Sequence, residues 1–427
     1  MTKIGPTHLC LSSLLLAAVA ATGQTAQSTA ASSVYSPFRI PTVNGNLNYA
    51  ISASQTVIFG YNDTSATSEA TSASGNFGFL SNSVVRPFNF VYAGGLFVDS
   101  SNHTYSVFHN VSISQAFNTK TWNFNLSDSL HYLPQAPTVG LSGLPGLGDL
   151  GVSTGSTSSQ GILTSSNTQI TNSASGVAIR NLTGSTSLEA FGSLGLLRFA
   201  GSSVGLESNN YSGSGGAYHR IDARTSVSAF YSYSSFSYVG VDGSFASQGI
   251  SFDFKRQLTR KLSFDASAGP QRIGASSITG SGPSLTYNAN VHFGYTGSPA
   301  SGASLSVGYN RSTNSGSGAS FGATTDTINA ALGKRLTRNL SANAQFGYAR
   351  TVALQVLSGV PLTTQSIIGS GQINRALART LSAYASYTAI RQLSAGNAAG
   401  LAPLAGLSQT LGFGLTYSPA SLHLGKQ

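Results

Sequence analysis

The chain has 427 residues and a formal net charge of +10; 40% of its residues are hydrophobic and only 8% are charged. A soluble domain averages about 25% charged residues, and no segment after Gly23 offers the run of about 18 apolar residues that a membrane helix needs. Helical membrane spans are therefore excluded. Two architectures remain, a membrane β-barrel and a secreted β-solenoid.

The first 23 residues read as a secretory signal peptide. Lys3 precedes an apolar run at 9–21, and small residues follow it, which predicts cleavage before Gln24. Cleavage after Ala20 is the alternative. The only cysteine, Cys10, lies inside this segment, so the mature chain forms no disulfide. Export also argues against nucleic acid as the partner of the basic residues.

Residues 24–45 are rich in Ser, Ala and Thr and contain Pro37 and Pro41, which predicts a loose leader. From residue 46 to residue 417, apolar and polar residues alternate with the period of two that is typical of strands, as in 340–348. We predict 18 strands, with 16 as the alternative, because bacterial single-chain barrels have even counts. The predicted strands lie near 46–59, 69–80, 86–98, 104–116, 121–133, 171–180, 186–199, 213–221, 225–238, 245–256, 261–272, 285–295, 302–311, 322–335, 339–351, 365–375, 380–392 and 406–417.

A basic phrase is repeated along the chain. KRQLTRKLSFDASAG begins at Lys255, and related phrases begin at Lys334 and Asn374. A repeat of about 40 residues fits a hairpin of two strands, a tight turn and a longer loop. A charged side chain on a lipid-facing surface costs roughly 2 to 4 kcal/mol at the midplane and little near the interfaces. Basic strand ends therefore favour a transmembrane, antiparallel, up-and-down β-barrel over a solenoid.

Thirteen of the 22 basic residues lie at or beside these turns. They are Lys120, Arg180, Arg220, Arg224, Lys255, Arg256, Arg260, Lys261, Lys334, Arg335, Arg338, Arg375 and Arg379.

Five further arginines lie ten positions after the first strand residue that follows a basic turn. Ten residues of tilted strand rise about 25 Å, the height of a barrel's apolar band, and an even offset keeps the same strand face. We therefore predict a lipid-facing arginine belt at the outer leaflet, where lipopolysaccharide phosphates lie. The alternative is a row of lumenal arginines, because a bulge would shift the parity. The belt consists of Arg198, Arg272, Arg311, Arg350 and Arg391.

The signal peptide, the alternation, the hairpin period and the aromatic strand ends resemble those of bacterial outer-membrane β-barrels of the porin type. The resemblance covers residues 46–417 and implies a passive channel for small hydrophilic solutes. It also implies that Tyr417, at the end of the last strand, is read by the barrel-assembly machinery. Residues 418–427 follow as a periplasmic tail.

The resemblance further implies a constriction by the third outer loop, which runs from Pro134 to Asn172 and contains leucines poorly suited to water. Packing over the barrel mouth or against a neighbouring protein is the alternative. The predicted constriction residues are Leu141, Leu144, Leu147, Asp149 and Leu150.

Signals of enzymatic chemistry are few. If the hairpin closes about Thr259, Asp253 and Asp265 lie nearly opposite each other in the lumen, where two carboxylates can do acid–base work. The neighbouring Lys255 favours an ion-pair network instead. The histidines lack the spacing of metal ligands, and we predict no cofactor. Two alternatives to a porin remain: an exopolysaccharide export barrel, with Tyr384 and other lumen-facing aromatic residues as stacking surfaces, and a closed structural or surface-binding barrel.

Overall fold

The computed structural model describes residues 45–61, 64–100, 104–133, 168–200, 205–275, 282–297, 302–316, 319–354, 361–397 and 405–424. The predicted signal peptide and nearly all of the predicted leader lie outside these residues. The five constriction residues from Leu141 to Leu150 also lie outside them. Within the described part of the chain, no helix is long and apolar enough to cross a membrane.

Within the described ranges, eighteen long strands and one short strand form a single antiparallel sheet that closes on itself. Each strand pairs with its neighbours in the chain, and β1 pairs with β18 from Ile51 opposite Tyr417 to Phe59 opposite Gln409. The prediction of a closed up-and-down barrel with 16 to 18 strands is confirmed. The short β19 lies inside the predicted tail and pairs with Gly45–Leu47 of β1.

The strands are β1 Gly45–Tyr61, β2 Thr64–Ser81, β3 Phe88–Asp99, β4 Thr104–Asn118, β5 Trp122–Leu133, β6 Thr168–Asn181, β7 Thr186–Ala200, β8 Ser208–Arg220, β9 Thr225–Tyr238, β10 Ser244–Thr259, β11 Leu262–Ile273, β12 Ser284–Thr296, β13 Ser304–Asn314, β14 Ala323–Arg335, β15 Leu340–Ala353, β16 Thr363–Ala376, β17 Leu381–Ala395, β18 Gly406–Tyr417 and β19 Leu422–Leu424.

The two faces of the sheet have opposite chemistry. Large apolar side chains alternate along one face and are exposed; Ile51 and Phe413 are 58% and 56% exposed. On the other face, Ser52 and Ser54 of the same β1 strand are both 8% exposed. A water-soluble protein buries its apolar side chains and exposes its hydroxyl groups. This barrel does the reverse, so we call the apolar face outward and the hydroxyl-bearing face inward.

The connections after even-numbered strands are short and alike. In four of them an apolar residue at the first turn position donates its backbone N–H to a carbonyl four residues on: Leu182 to Thr186, Ile221 to Thr225, Leu336 to Leu340 and Leu377 to Leu381. Since strands alternate in direction, these turns all lie at one end of the barrel, which we call the turn end. The opposite end is the loop end. The basic phrases therefore repeat because each hairpin makes the same turn at the same end.

Candidate functional site: the barrel lumen

Hydroxyl, amide and glycine positions dominate the inward face. Facing hydroxyl groups join adjacent strands, with 2.6 Å between the Oγ atoms of Ser52 and Ser74 and 2.6 Å between those of Ser193 and Ser212. These pairs arise because residues directly opposite each other in an antiparallel ladder project to the same side. The inward wall can therefore exchange hydrogen bonds with polar solutes.

Tyr384 crosses the seam where the barrel closes. Its ring lies over Gly414 of β18, where an added Cβ would come within 2.4 Å of the tyrosine Oη, and its hydroxyl hydrogen-bonds Ser54 of β1. Ser54 lies opposite Gly414 in the ladder. With only 7% of its surface exposed, this tyrosine offers no open surface on which a sugar could stack. The sequence-based suggestion that it does so is wrong.

Away from the strand ends, the charged side chains of the described inward wall lie on β7, β10, β11 and β12, close to the turn end. Ser228 Oγ donates to Asp253 Oδ2 at 2.8 Å, and His292 Nδ1 lies 3.5 Å from Asp265 Oδ2. Glu189 faces the same side as Ser187, whose hydroxyl lies 3.5 Å from its carboxylate. We call Glu189, Asp253, Lys255, Asp265 and His292 the charged wall.

The predicted opposition of Asp253 and Asp265 is wrong. Asp265 lies opposite Lys255, and Asp253 lies opposite Ser267. The register differs because the turn is centred on Arg260 and Lys261, so that Thr259 pairs with Leu262; the ladder is also irregular between Gln257 and Thr259. A one-residue irregularity of this kind moves every later pairing. The two carboxylates are thus not placed as an acid–base pair.

The β13–β14 connection folds into the mouth at the loop end. Phe321 in this connection packs against inward side chains of β9–β11, and its ring meets that of Tyr238 edge-on at 5.0 Å between centroids. The Tyr238 hydroxyl donates to the Ser315 carbonyl at 3.0 Å. We call Phe236, Tyr238, Phe245, Ile273 and Phe321 the mouth cluster.

Two glycines permit this inward fold. Gly316 and Gly322 have φ angles of 83° and 76°, which side chains other than glycine rarely adopt. A Cβ on Gly322 would also meet the Phe245 ring at 2.6 Å. The Leu354 N–H donates to the Gly322 carbonyl at 3.0 Å, which ties this connection to the next one. The sequence interpretation missed this inward loop, although an aromatic residue in a Gly- and Ser-rich stretch was a usable signal.

All five predicted arginines share a strand face with exposed apolar residues. Arg391 lies opposite Ile367 and Leu407, and Arg272 lies opposite Leu285. Their surroundings differ, however. Arg311 Nη1 lies 2.8 Å from Asp326 Oδ2 and its guanidinium lies 4.6 Å from the centre of the Tyr287 ring.

Arg198 also has partners within the protein. Its Nη2 donates to Asn209 Oδ1 at 2.6 Å, and its Nε lies 3.7 Å from Glu207 Oε2. Among the described residues, Arg272, Arg350 and Arg391 have no hydrogen-bond or ion-pair partner. Arg198 and Arg311 are therefore paired with acidic side chains of the protein. The other three arginines have no such partner among the described residues and can bind an external anion.

The described residues contain no group of three or more His, Cys, Asp or Glu side chains that could hold a metal ion. No family model matches the chain, and no curated protein matches it. Solved outer-membrane proteins are similar at low identity. OpdQ of Pseudomonas aeruginosa is 11% identical with a TM-score of 0.43, and the match covers 88% of this chain and 98% of that one.

OccAB3 of Acinetobacter baumannii is 11% identical with a TM-score of 0.41, covering 87% of this chain and 99% of that one. OccK2 (OpdF) of Pseudomonas aeruginosa, solved in complex with glucuronate, is 9% identical with a TM-score of 0.43, covering 89% and 98%. Likenesses this weak support no conclusion about function. The closed barrel architecture is established by the strand pairing of this chain itself, in which β1 pairs with β18.

Proposed function

We propose that the protein is an outer-membrane channel that passes small hydrophilic solutes by diffusion. The observation that carries this proposal is the reversal of the two faces, with apolar side chains exposed outside a closed barrel and hydroxyl and amide groups inside it. A barrel in lipid needs an apolar outer surface and no open strand edge. A wall of neutral polar groups can bind passing solutes weakly enough to release them.

The outward face supports a bilayer location. Aromatic side chains gather near the turn end, where Trp122 stacks on Phe124 at 5.4 Å and Phe79 lies 6.2 Å from Phe88. Arg180 covers the Trp122 ring at 5.5 Å. Aromatic girdles and basic residues of this kind mark the interfaces of a membrane barrel. Outer-membrane barrels have short turns on the periplasmic side and longer loops outside, so this proposal assigns the turn end to the periplasm.

A closed barrel is the second candidate. It is favoured by the mouth cluster and by inward side chains that are almost fully buried, among them Asn110 and Gln392, each 2% exposed. Such packing removes open space from the lumen. An export barrel for an exopolysaccharide loses the support of Tyr384, because that ring is covered.

Planar-bilayer recording of the purified full chain tests the proposal. We expect steady single-channel current that scales with salt concentration, because the polar lumen is filled with electrolyte. Protein that inserts into the bilayer but gives no current in any salt would establish the closed barrel instead. Insertion is scored separately by flotation with the vesicles.

Two partners and one constriction within the chain belong to this proposal. Lipopolysaccharide phosphates are bound at the loop end by Arg272, Arg350 and Arg391, whose guanidinium groups suit bidentate contacts with phosphate. The third loop narrows the pore through Leu141, Leu144, Leu147, Asp149 and Leu150. The barrel-assembly machinery recognises the final long strand at Tyr417, which pairs with both Ile51 and Leu381.

A further inference from the structure

The sign of charge inside the barrel is opposite to that of the whole chain. The formal net charge is +10, yet the basic side chains of the described strands lie mostly at the turns or on the outward face. On the inward face of the described strands the acidic residues are Asp99, Glu189, Asp253 and Asp265, and Lys255 is the basic residue away from the strand ends. Arg220 and Arg335 share this face but are the last residues of β8 and β14, at the turns, where Arg220 donates to the Gly184 carbonyl. The wall therefore carries more negative than positive charge.

The strand pairing assigns these side chains to the lumen independently of their chemistry. Lys255, Asp265 and His292 follow one another across β10, β11 and β12, and the row continues to Gly308. Asp253 lies opposite Ser228 of β9, which donates to it. Asp253 lies between Ser228 and Ser267, and Asp265 lies between Lys255 and His292, so these two carboxylates have polar neighbours across both ladders. Glu189 lies between Ile179 and Gly216.

Positive charge is also missing from the segments that join the strands at the loop end. The sequence of the third loop, from 134 to 167, contains Asp149 and no lysine or arginine. The other connections at this end likewise contain no lysine or arginine. The arginines of the turns lie in open solvent, where salt screens them over about 8 Å, whereas the charged wall lies inside the barrel.

We infer that the channel selects cationic solutes over anionic ones, with small hydrophilic amines as the favoured class. This inference rests on the proposed channel function. Rows of carboxylates along a pore lower the energy of a cation in the path and raise that of an anion. The hydroxyl and amide groups beside them supply hydrogen-bond acceptors for an ammonium group.

Reversal potentials in a potassium chloride gradient test the inference. The wild-type channel is expected to pass potassium more readily than chloride, with a permeability ratio of about two or more. Combining Glu189→Gln, Asp253→Asn and Asp265→Asn should bring this ratio to one or below. Lys255→Gln should move it the other way. Asp128→Asn is the matched control, because this carboxylate lies on the outward face with Asn172, whose Nδ2 donates to it at 2.8 Å.

The outcomes separate the two proposals. Absence of current from inserted wild-type protein overturns the channel function. An open channel that prefers chloride, or whose ratio is the same in the triple variant and in Asp128→Asn, overturns the cation selectivity and leaves the channel standing. Opposite shifts in the triple variant and in Lys255→Gln support it, since misfolding would not move the ratio in two directions.

Discussion

Phe321 and Tyr238 meet edge-on, with their ring centroids 5.0 Å apart and their planes at 85°, although one lies in a connection and the other in a strand on a different part of the barrel wall. Tyr238 ends β9, whereas Phe321 precedes β14. Their contact holds the β13–β14 connection across the mouth of the barrel. This connection therefore narrows the loop end.

We expect Phe321→Ala to raise single-channel conductance, because the loop loses its anchor at the mouth. An aromatic pair contributes about 0.5 to 1.5 kcal/mol beyond its buried area, so the variant should remain a barrel. Phe346→Ala is the control, since Phe346 is 48% exposed on the outward face. Equal conductance of wild type and both variants would show that this loop does not limit flow.

Gly414→Ala should destabilise the closed barrel. The new Cβ would overlap the Tyr384 ring at 2.4 to 2.6 Å, and overpacking of this kind costs about 1 to 3 kcal/mol. The loss should appear as a lower temperature of the heat-induced gel shift. Gly371→Ala is the control because no atom lies within 4 Å of its added Cβ. Tyr384→Ala in the Gly414→Ala background should relieve the overlap, and failure of this rescue would contradict the account.

The three available arginines should stabilise the barrel only where anionic lipid is present. Replacing Arg272, Arg350 and Arg391 with Gln should lower thermal stability in membranes that contain lipopolysaccharide more than in neutral detergent. Each exposed contact is worth about 0 to 1 kcal/mol. An equal loss in both media would show that the side chains do not bind lipid phosphate.

Arg311→Gln should behave differently from those three replacements. It removes the cation that lies 2.8 Å from the Asp326 carboxylate, and leaves that carboxylate with the Tyr309 hydroxyl and with Arg350 on the neighbouring strand. Losing the pair should cost about 1 to 3 kcal/mol whatever the medium. Thermal unfolding in detergent and in lipid should therefore fall by similar amounts. A loss confined to lipopolysaccharide would mean that Arg311 also serves as a lipid contact.

Deletion of Gly140–Gly155 should raise single-channel conductance if the third loop folds into the pore as we propose. The β5 and β6 strands pair directly from Trp122 opposite Arg180 to Leu133 opposite Gln169, so shortening the connection leaves their ladder intact. Comparison with Phe321→Ala and with the combined variant distinguishes one constriction from two. Unchanged conductance would refute the third-loop constriction alone.

The barrel itself could be predicted from the sequence because each of its rules acts locally. Alternation along β15 fixes which side chains share a face, and the repeated basic turns fix the hairpins. Most strand registers then follow from the short connections, although the β10–β11 ladder departs from a symmetric closure about Thr259. Strand number was also accessible, since the sequence predicts 18 strands and the structure contains 18 long ones.

What the sequence did not disclose depends on single-residue geometry or on distant contacts. The irregularity between Gln257 and Thr259 changes the partner of Asp265, and no local pattern marks it. The contact of Phe321 with Tyr238 joins residues far apart in the chain, and the burial of Tyr384 depends on a glycine in another strand. Alternation predicts which face a side chain occupies, but not what covers it there.

The pairing of β1 with both β18 and β19 has a consequence for biogenesis. All other long-strand pairs join neighbours in the chain and can form as hairpins, whereas Ile51 must wait for Tyr417 and Gly45 must wait for Leu424. Before β1 meets β18 and β19, it presents a strand edge with unpaired N–H and C=O groups, the kind of edge that recruits other chains. The unclosed chain is therefore the aggregation-prone form of this protein, and pairing with β18 and β19 ends that exposure.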